Sequence, residues 1–446
     1  MTPRTAWPVR MHIEYASRTC GARTGVVETP HGPFETPAFM PVGTKAAIKG
    51  LLPQQVRSTG AQCVLANTYH LMLRPGAELV ARRGGLHPFM GWDGPILTDS
   101  GGYQAYSMAD INAVTDDGVT FKSIVTGSPV RMRPEDAVRV QNALGADIIM
   151  AFDDCPPSVD PESGPINQTR LRQAAMRDAQ NAAGYDHAAR LDLALERTAR
   201  WLERCVRAHE RPGDQALFGI VQGGTDAERR RASAERITRV ELPGYAIGGV
   251  AVGESPGEIG RIAALTAPLL PVDRPRYLMG VGYPRDMVAA VRAGVDMFDC
   301  VLPTRNGRNA NAFTRLDETG EGRYQIRLRN ARFAEDDGPL EAGCDCLACD
   351  PGAHGWSTPD GRPLGRSYIR HLFISEEMLG PILVSLHNLR HYQRLMADLR
   401  RAIRDDDWAW LADRWPGTAP AADAVVADDC GDGGGVVGPG GCADRS

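Results

Sequence analysis

The sequence predicts a (β/α)8 barrel, and three observations carry that prediction. Short apolar runs recur along the chain, each ending in a polar or glycine-rich turn, and eight such runs are present. Most gaps between them are long enough for a helix, so strands and helices alternate. Four runs end on a side chain suited to chemistry: Asp99, Asp153, Gln222 and Asp299. In an eight-fold barrel those ends share one rim, where catalytic groups collect. An open doubly wound sheet needs a phosphate fingerprint such as GxGxxG after its first strand, and none stands there.

Taken in order, PAFMPVGT ends near Val42, VLANTYH at Asn67 and PILTDSGG at Asp99. Asp, Ser and Gly after Thr98 suit an ordinary turn. They equally suit a carboxylate whose following backbone lies close to a ligand. GVTFKSIVTGSPVRMRP then predicts an extra hairpin turning around Thr126-Gly127-Ser128. Arg133 to Gly145 reads as a helix, with Pro134 in its first turn and a terminal glycine. ADIIMAFDD ends at Asp153, and a surface insertion follows over about 157–190. A long helix is expected from Leu191 to Glu210. ALFGIVQGG ends at Gln222, YAIGGVAVG at Gly248 and RYLMGVG at Gly280. A helix from Pro284 to Gly294 leads to VDMFDC, ending at Asp299.

Beyond Asp299 the composition changes. Seven arginines against three acids between Arg305 and Arg332 give a local net of +4, although the whole chain carries −5. A basic patch of that kind suffices for nucleic acid. The barrel is expected over 10–320, with its closing helix drawn from 375–405, and a metal-binding subdomain over 321–405. The stretch 416–446, rich in Gly, Ala and Asp, is expected to be disordered. No apolar run of about 18 residues is present, which argues against a membrane span. The start lacks an apolar signal core, and most of the ten cysteines are scattered. Together these predict reduced thiols in a cytoplasm.

CDCLAC brings Cys344, Cys346 and Cys349 within six residues. Three thiolates so close suit a soft tetrahedral metal, and zinc is the expected occupant. His354, His371, His387 and His391 compete for the fourth position. His354 sits in a Pro/Gly-rich loop, whereas His371 and His387 lie in helical contexts. A closed Cys3His site is structural and leaves no open position for chemistry.

Ten stretches, FMPVGT, ANTYHL, GWDGPILTDSGGYQ, MAFDDCPP, LFGIVQGG, AIGGVAVGE, RYLMGVG, MFDCVLPTRNGRNA, CDCLAC and LHNLRHYQRLM, give the chain a wider resemblance. Across roughly Thr36 to Leu399 it resembles the bacterial tRNA-guanine transglycosylases. That resemblance implies exchange of guanine at the anticodon wobble position of tRNA for 7-aminomethyl-7-deazaguanine (preQ1), a step toward queuosine. It implies a barrel with one structural zinc, His387 as fourth ligand, and a homodimer. Asp299 matches the nucleophile that forms a covalent enzyme–RNA intermediate. Asp99 matches the general acid/base, with Ser100-Gly101-Gly102 as an open floor and Tyr103 stacking on the base. Asp153 accepts from N1–H and the 2-amino group. Gln222 and the Gly249 N–H donate to O6. Val250 offers a carbonyl to the ring substituent with Glu254 behind it, and Met279 covers the other face. Arg305 and Arg308 hold the RNA phosphates.

Three departures stand out: Asp154 where Glu is common, Pro156 where Thr is, and Val250 where Leu is. An insertion near 350–365 also lengthens the spacing between Cys349 and His387. The rival functions are a silent paralogue, an archaeal-type enzyme with added C-terminal RNA-binding domains, and a barrel glycoside hydrolase. The first is expected to lack the nucleophile. The second needs more chain than the short tail supplies. The third explains two carboxylates but neither the base-reading set nor the arginine-rich metal segment.

Overall fold

The structure is a computed structural model and describes residues 7–107, 112–160, 185–252, 254–318, 320 and 322–418. Three antiparallel strands open it: β1 (Arg10–Ala16), β2 (Arg23–Glu28) and β3 (Phe34–Thr36). Then come β4 (Ala38–Gly43), β5 (Val64–Ala66) and β6 (Ile96–Thr98). A second antiparallel sheet follows, β7 (Asn112–Val114), β8 (Val119–Lys122) and β9 (Pro129–Met132). Five strands complete the barrel: β10 (Ile148–Met150), β11 (Ala216–Val221), β12 (Gly244–Ile247), β13 (Arg276–Leu278) and β14 (Met297–Cys300). All eight barrel strands pair in parallel and close, with β14 against β4 and Asp299 opposite Met40. Each of the eight apolar runs is a barrel strand, because each is bounded by turn residues and buried on both faces.

The sheet β1–β3 had no clear signature. Val27 and Phe34 share one buried cluster with Met40, Leu65, Leu97, Met150, Phe218 and Met297 of the barrel strands. The sheet therefore plugs the end of the barrel opposite the strand ends that carry chemistry. Polar clamps fix it there. Arg23 meets Asp296, just before β14, at 2.6 and 2.9 Å, both buried. Asp147, just before β10, accepts from the Ile96 N–H at 2.8 Å and bonds His31 at 2.7 Å and His87 at 3.1 Å. Burial alone would raise this carboxyl, but the hydrogen bonds from His87, His31 and Ile96 hold it below its ordinary value.

The hairpin expected around Thr126 is β8–β9, with β7 as an added third strand. The helix Pro134–Leu144 ends on Gly145 in the left-handed region. The long helix runs His187–Ala208, four residues earlier than expected at its start, because Asp186 caps the Ala188 and Ala189 N–H groups. Most of the expected insertion, 161–184, lies outside the described residues.

After β14 the chain forms the short helix Leu302–Arg308, the pair β15 (Asn311–Phe313) and β16 (Gln325–Arg327), and the helix Arg366–Ile374. The helix Leu379–Asp405 then returns to the barrel wall. Its Gln393 donates to Phe39 O at 3.0 Å and its Arg400 to Pro37 O at 2.9 Å. Its Tyr392 hydroxyl donates to Gly282 O at 2.5 Å. Pro416–Thr418, assigned to the disordered tail, form a 3-10 turn instead. Trp415 and Thr418 are buried there, with the Trp415 ring edge-on to His391. Residues 419–446 lie outside the described residues.

Candidate active site

Asp99 follows β6 directly, and its carboxylate is gripped from the end of the neighbouring strand β5 and from the helix that follows it. Oδ1 accepts from the Thr68 N–H at 2.8 Å. Oδ2 accepts from Gln104 at 3.2 Å and from the Asn67 carboxamide. Burial pushes this carboxyl up to about 7, and the charges of Asp299 and Asp153 push the same way. A carboxyl poised there can give and take a proton at neutral pH.

Asp299 lies near the end of β14. Its Oδ1 accepts from the Tyr277 hydroxyl at 2.5 Å and from the Gly280 N–H at 2.8 Å. Both bonds fall on one oxygen, so Oδ2 has no partner among the described residues. The carboxylate is thus held firmly with one oxygen free to meet an electrophile. Burial raises its pKa, opposed by the Tyr277 and Gly280 bonds.

Between these two lies a polar set. Asp153 Oδ1 accepts from Ser100 Oγ at 2.9 Å and Oδ2 from Gln222 Nε2 at 2.7 Å. Burial pushes Asp153 up to about 6, against those two bonds. Beside it the Cys155 thiol faces Gln222 and the Gly249 N–H, and burial keeps it protonated. A neutral thiol is a wall of the pocket, not a nucleophile. Tyr103 packs with Tyr106, Cys155 and Val252. Val250 is buried, and Met279 is half-buried against the barrel interior. Glu254 Oε2 accepts from Ser158 at 2.6 Å and the Val252 N–H at 3.1 Å, and Oε1 from the Ala251 N–H. The glycines after Asp99 do not leave an open floor. A Cβ on Gly102 would stand 2.7 Å from the Asp153 carbonyl oxygen, so glycine here allows close approach of protein to protein.

Asp154, the departure beside Asp153, is buried and bonds Arg190 at 2.7 and 3.0 Å and Arg197 at 2.5 Å. The helix His187–Ala208 is thereby tied to the loop that carries Asp153.

Cys344, Cys346, Cys349 and His387 converge on one buried point, a group able to bind one metal ion. The three sulfurs lie 3.5 to 3.6 Å from His387 Nδ1. Metal–sulfur bonds of about 2.3 Å and metal–nitrogen bonds of about 2.0 Å give tetrahedral sulfur–nitrogen edges of about 3.5 Å. His387 Nε2 meets Phe313 O at 2.8 Å, which fixes Nδ1 as the ligand atom. His371 is exposed near Ser375, His354 bonds the Asp345 carbonyl and His391 bonds Glu341, so none competes.

A family model described as queuine tRNA-ribosyltransferase matches residues 18–419. The chain belongs to that family. A queuine tRNA-ribosyltransferase from Thermus thermophilus is 49% identical over 89% of this chain and 91% of its own length. Proteins of the same name from Geobacillus kaustophilus and Streptococcus pyogenes are 45% and 46% identical, each over 90% of this chain and 93% and 94% of theirs.

In this family member Arg305 and Arg308 project from the helix that follows Asp299, one exposed and one half-buried. Neither has a carboxylate within ion-pair distance among the described residues. Four neighbours of the site went unassigned in the sequence. Asn67 and Gln104 hold Asp99, Tyr277 holds Asp299, and Arg230 lies behind Gln222 and Gly249. Asn67 ends a barrel strand, so the rim rule could have found it. Tyr277 lies within a strand, where an aromatic reads as core. Among the described residues no helix is long and apolar enough to cross a membrane.

Proposed function

We propose that this chain exchanges guanine at the wobble position of tRNA for 7-aminomethyl-7-deazaguanine by double displacement. The observation that carries it is the Asp299 carboxylate, bonded on one oxygen and free on the other, near Asp99 with its carboxyl at about 7. Asp299 attacks ribose C1′ as Asp99 protonates the departing guanine. Asp99 then takes the proton from the incoming base, which displaces Asp299. Two inversions give net retention, as in retaining glycosidases. Asp153, Gln222 and Gly249 read the polar edge of the base, with Tyr103, Val250, Glu254 and Met279 around it. Base-edge reading of this kind rejects wrong bases strongly, because a mismatch leaves buried groups unpaired. The base must leave the stack to be reached. Arg305 and Arg308 hold the flanking phosphates.

Cys344, Cys346, Cys349 and His387 hold one zinc ion, which is structural and takes no part in the exchange; the edge lengths support that ion. A second copy of the chain is the proposed partner, and the exposed apolar Leu52, Ile374, Met378 and Leu379 support it. The exchange is placed in the cytoplasm, where free thiols such as Cys63, Cys155 and Cys205 stay reduced.

The test is incorporation of labelled guanine into unmodified tRNA bearing a wobble guanine. Label in that tRNA, and none in tRNA with another wobble base, is the expected result. A metal-loaded protein that incorporates nothing overturns the reading in favour of the silent-subunit alternative.

The pH dependence follows from Asp99. With an ordinary carboxyl at 3.8, less than about one part in a thousand would be protonated at pH 7. With its carboxyl at about 7, near half is. Single-turnover formation of the covalent intermediate is expected to fall about tenfold per pH unit well above 7 as the acid is lost. Asp99→Asn should lower the rate by about 10²–10⁴ and erase that alkaline limb. An unchanged limb in the variant assigns the acid elsewhere.

A further inference from the structure

Arg230, on the helix Ala227–Thr238, is fully buried, and among the described residues every hydrogen bond it makes goes to a main-chain carbonyl. Nε donates to Gly224 at 2.8 Å and Nη1 to Val221 and Gly248 at 3.1 and 2.6 Å. Nη2 donates to Gly249 at 2.8 Å. No carboxylate is within ion-pair distance of it among the described residues. Burial pulls its pKa down to about 10, with the Glu254 charge acting the other way. Placing a guanidinium inside a protein without a counter-ion is costly, and here four carbonyls offset that cost.

What those bonds control follows from peptide geometry. The Gly248–Gly249 peptide is trans, so its C=O and N–H point in opposite directions. Fixing the Gly248 carbonyl on Arg230 aims the Gly249 N–H away from Arg230, toward the Cys155 thiol at the pocket wall. Gly249 has a φ of +59°, and a Cβ there would collide with the Gln222 carboxamide. The Gly249 backbone, held by Arg230, thus lies directly against the Gln222 side chain. Ala251, at a φ of +60°, continues the bend, and Glu254 takes the Ala251 and Val252 N–H groups from the other side. The loop is clamped between a cation on its carbonyls and an anion on its amides.

We propose that Arg230 is a positioning residue that sets the two donors, Gly249 N–H and Gln222, which recognise the 6-oxo group of the base. This rests on the guanine-exchange reading above. Arg230 touches no substrate; it acts through the peptide it holds.

The experiment uses the metal-loaded full chain as wild type, Arg230→Lys and Arg230→Met. Unlabelled guanine and 2-aminopurine, which lacks the 6-oxo group, each compete against incorporation of labelled guanine into tRNA. In Arg230→Met the inhibition constant of guanine is expected to rise about 10- to 100-fold, the effect of mispairing a buried acceptor. That of 2-aminopurine should change less than about twofold, with the KM for tRNA equally steady, so the preference between the bases collapses. Arg230→Lys, with one amine for four carbonyls, should fall between. A merely structural role would weaken both bases together, and that result, or an unchanged preference, overturns the proposal. If Arg230→Met does not fold, the preference of Arg230→Lys decides alone. A wild type that incorporates no guanine refutes the exchange reading; an active wild type with an unshifted preference in the variants refutes only the role of Arg230.

Discussion

Asp299→Asn is expected to abolish base exchange, with a loss of at least about 10⁴-fold, the scale seen when a covalent nucleophile is removed. The change is isosteric. An asparagine Oδ1 can still accept from the Tyr277 hydroxyl and the Gly280 N–H, so the two bonds that fix the group survive. What is lost is the charge and nucleophilicity of Oδ2. The measurement is twofold: labelled-guanine incorporation, and a tRNA–protein adduct trapped on a denaturing gel. Wild type should give both and the variant neither, with tRNA affinity retained. Exchange within about tenfold of wild type would sink the double-displacement mechanism and move attention to a direct displacement assisted by Asp99.

The second large effect is expected at the Cys3His group. Cys346→Ala, or prolonged chelation, should release the metal and unfold the segment around it. Metal binding at such sites is worth on the order of 10 kcal/mol and is coupled to folding. The local core contains Ala312, Ile326, Leu328, Phe373, Leu383 and Val384, and the three cysteines belong to the same buried cluster. The loss should also reach the barrel, because His387 lies on the helix that bonds Phe39, Pro37 and Gly282. Thermal unfolding with metal analysis checks this. The expected outcome is one metal per chain in wild type, and a lowered, broadened transition without it. A metal-free variant that melts like wild type would show that the four side chains pack without an ion.

How far the sequence foretold the structure depended on how far each residue's surroundings are local. The eight barrel strands were legible because burial on both faces demands apolar runs and the rim demands turns. Cys344, Cys346 and Cys349 were legible because their spacing has few other uses; His387 needed the family resemblance, since three other histidines were available. The plug sheet was not legible. RMHIEYA of β1 is largely exposed and carries no alternation that a reader could trust. Arg230 was hidden by its neighbours. In ERRRAS, Arg229 meets Asp192 at 2.6 Å and Arg231 meets Glu228 at 2.5 Å, as a solvated face would. Only the middle arginine turns inward, and that depends on carbonyls brought by another strand.

The helix Leu379–Asp405 also has a consequence for how the chain is made. Gln393 closes against Phe39 of the first barrel strand, 354 residues earlier. A ribosome adding about 5–20 residues per second exposes the first strand tens of seconds before its partner helix exists. Until then the wall beside β4 has no cover, and the His387 that completes the metal group has not yet emerged. The nascent barrel therefore waits for its end to be translated, and completion of the metal-binding group and closure of the wall become one late event.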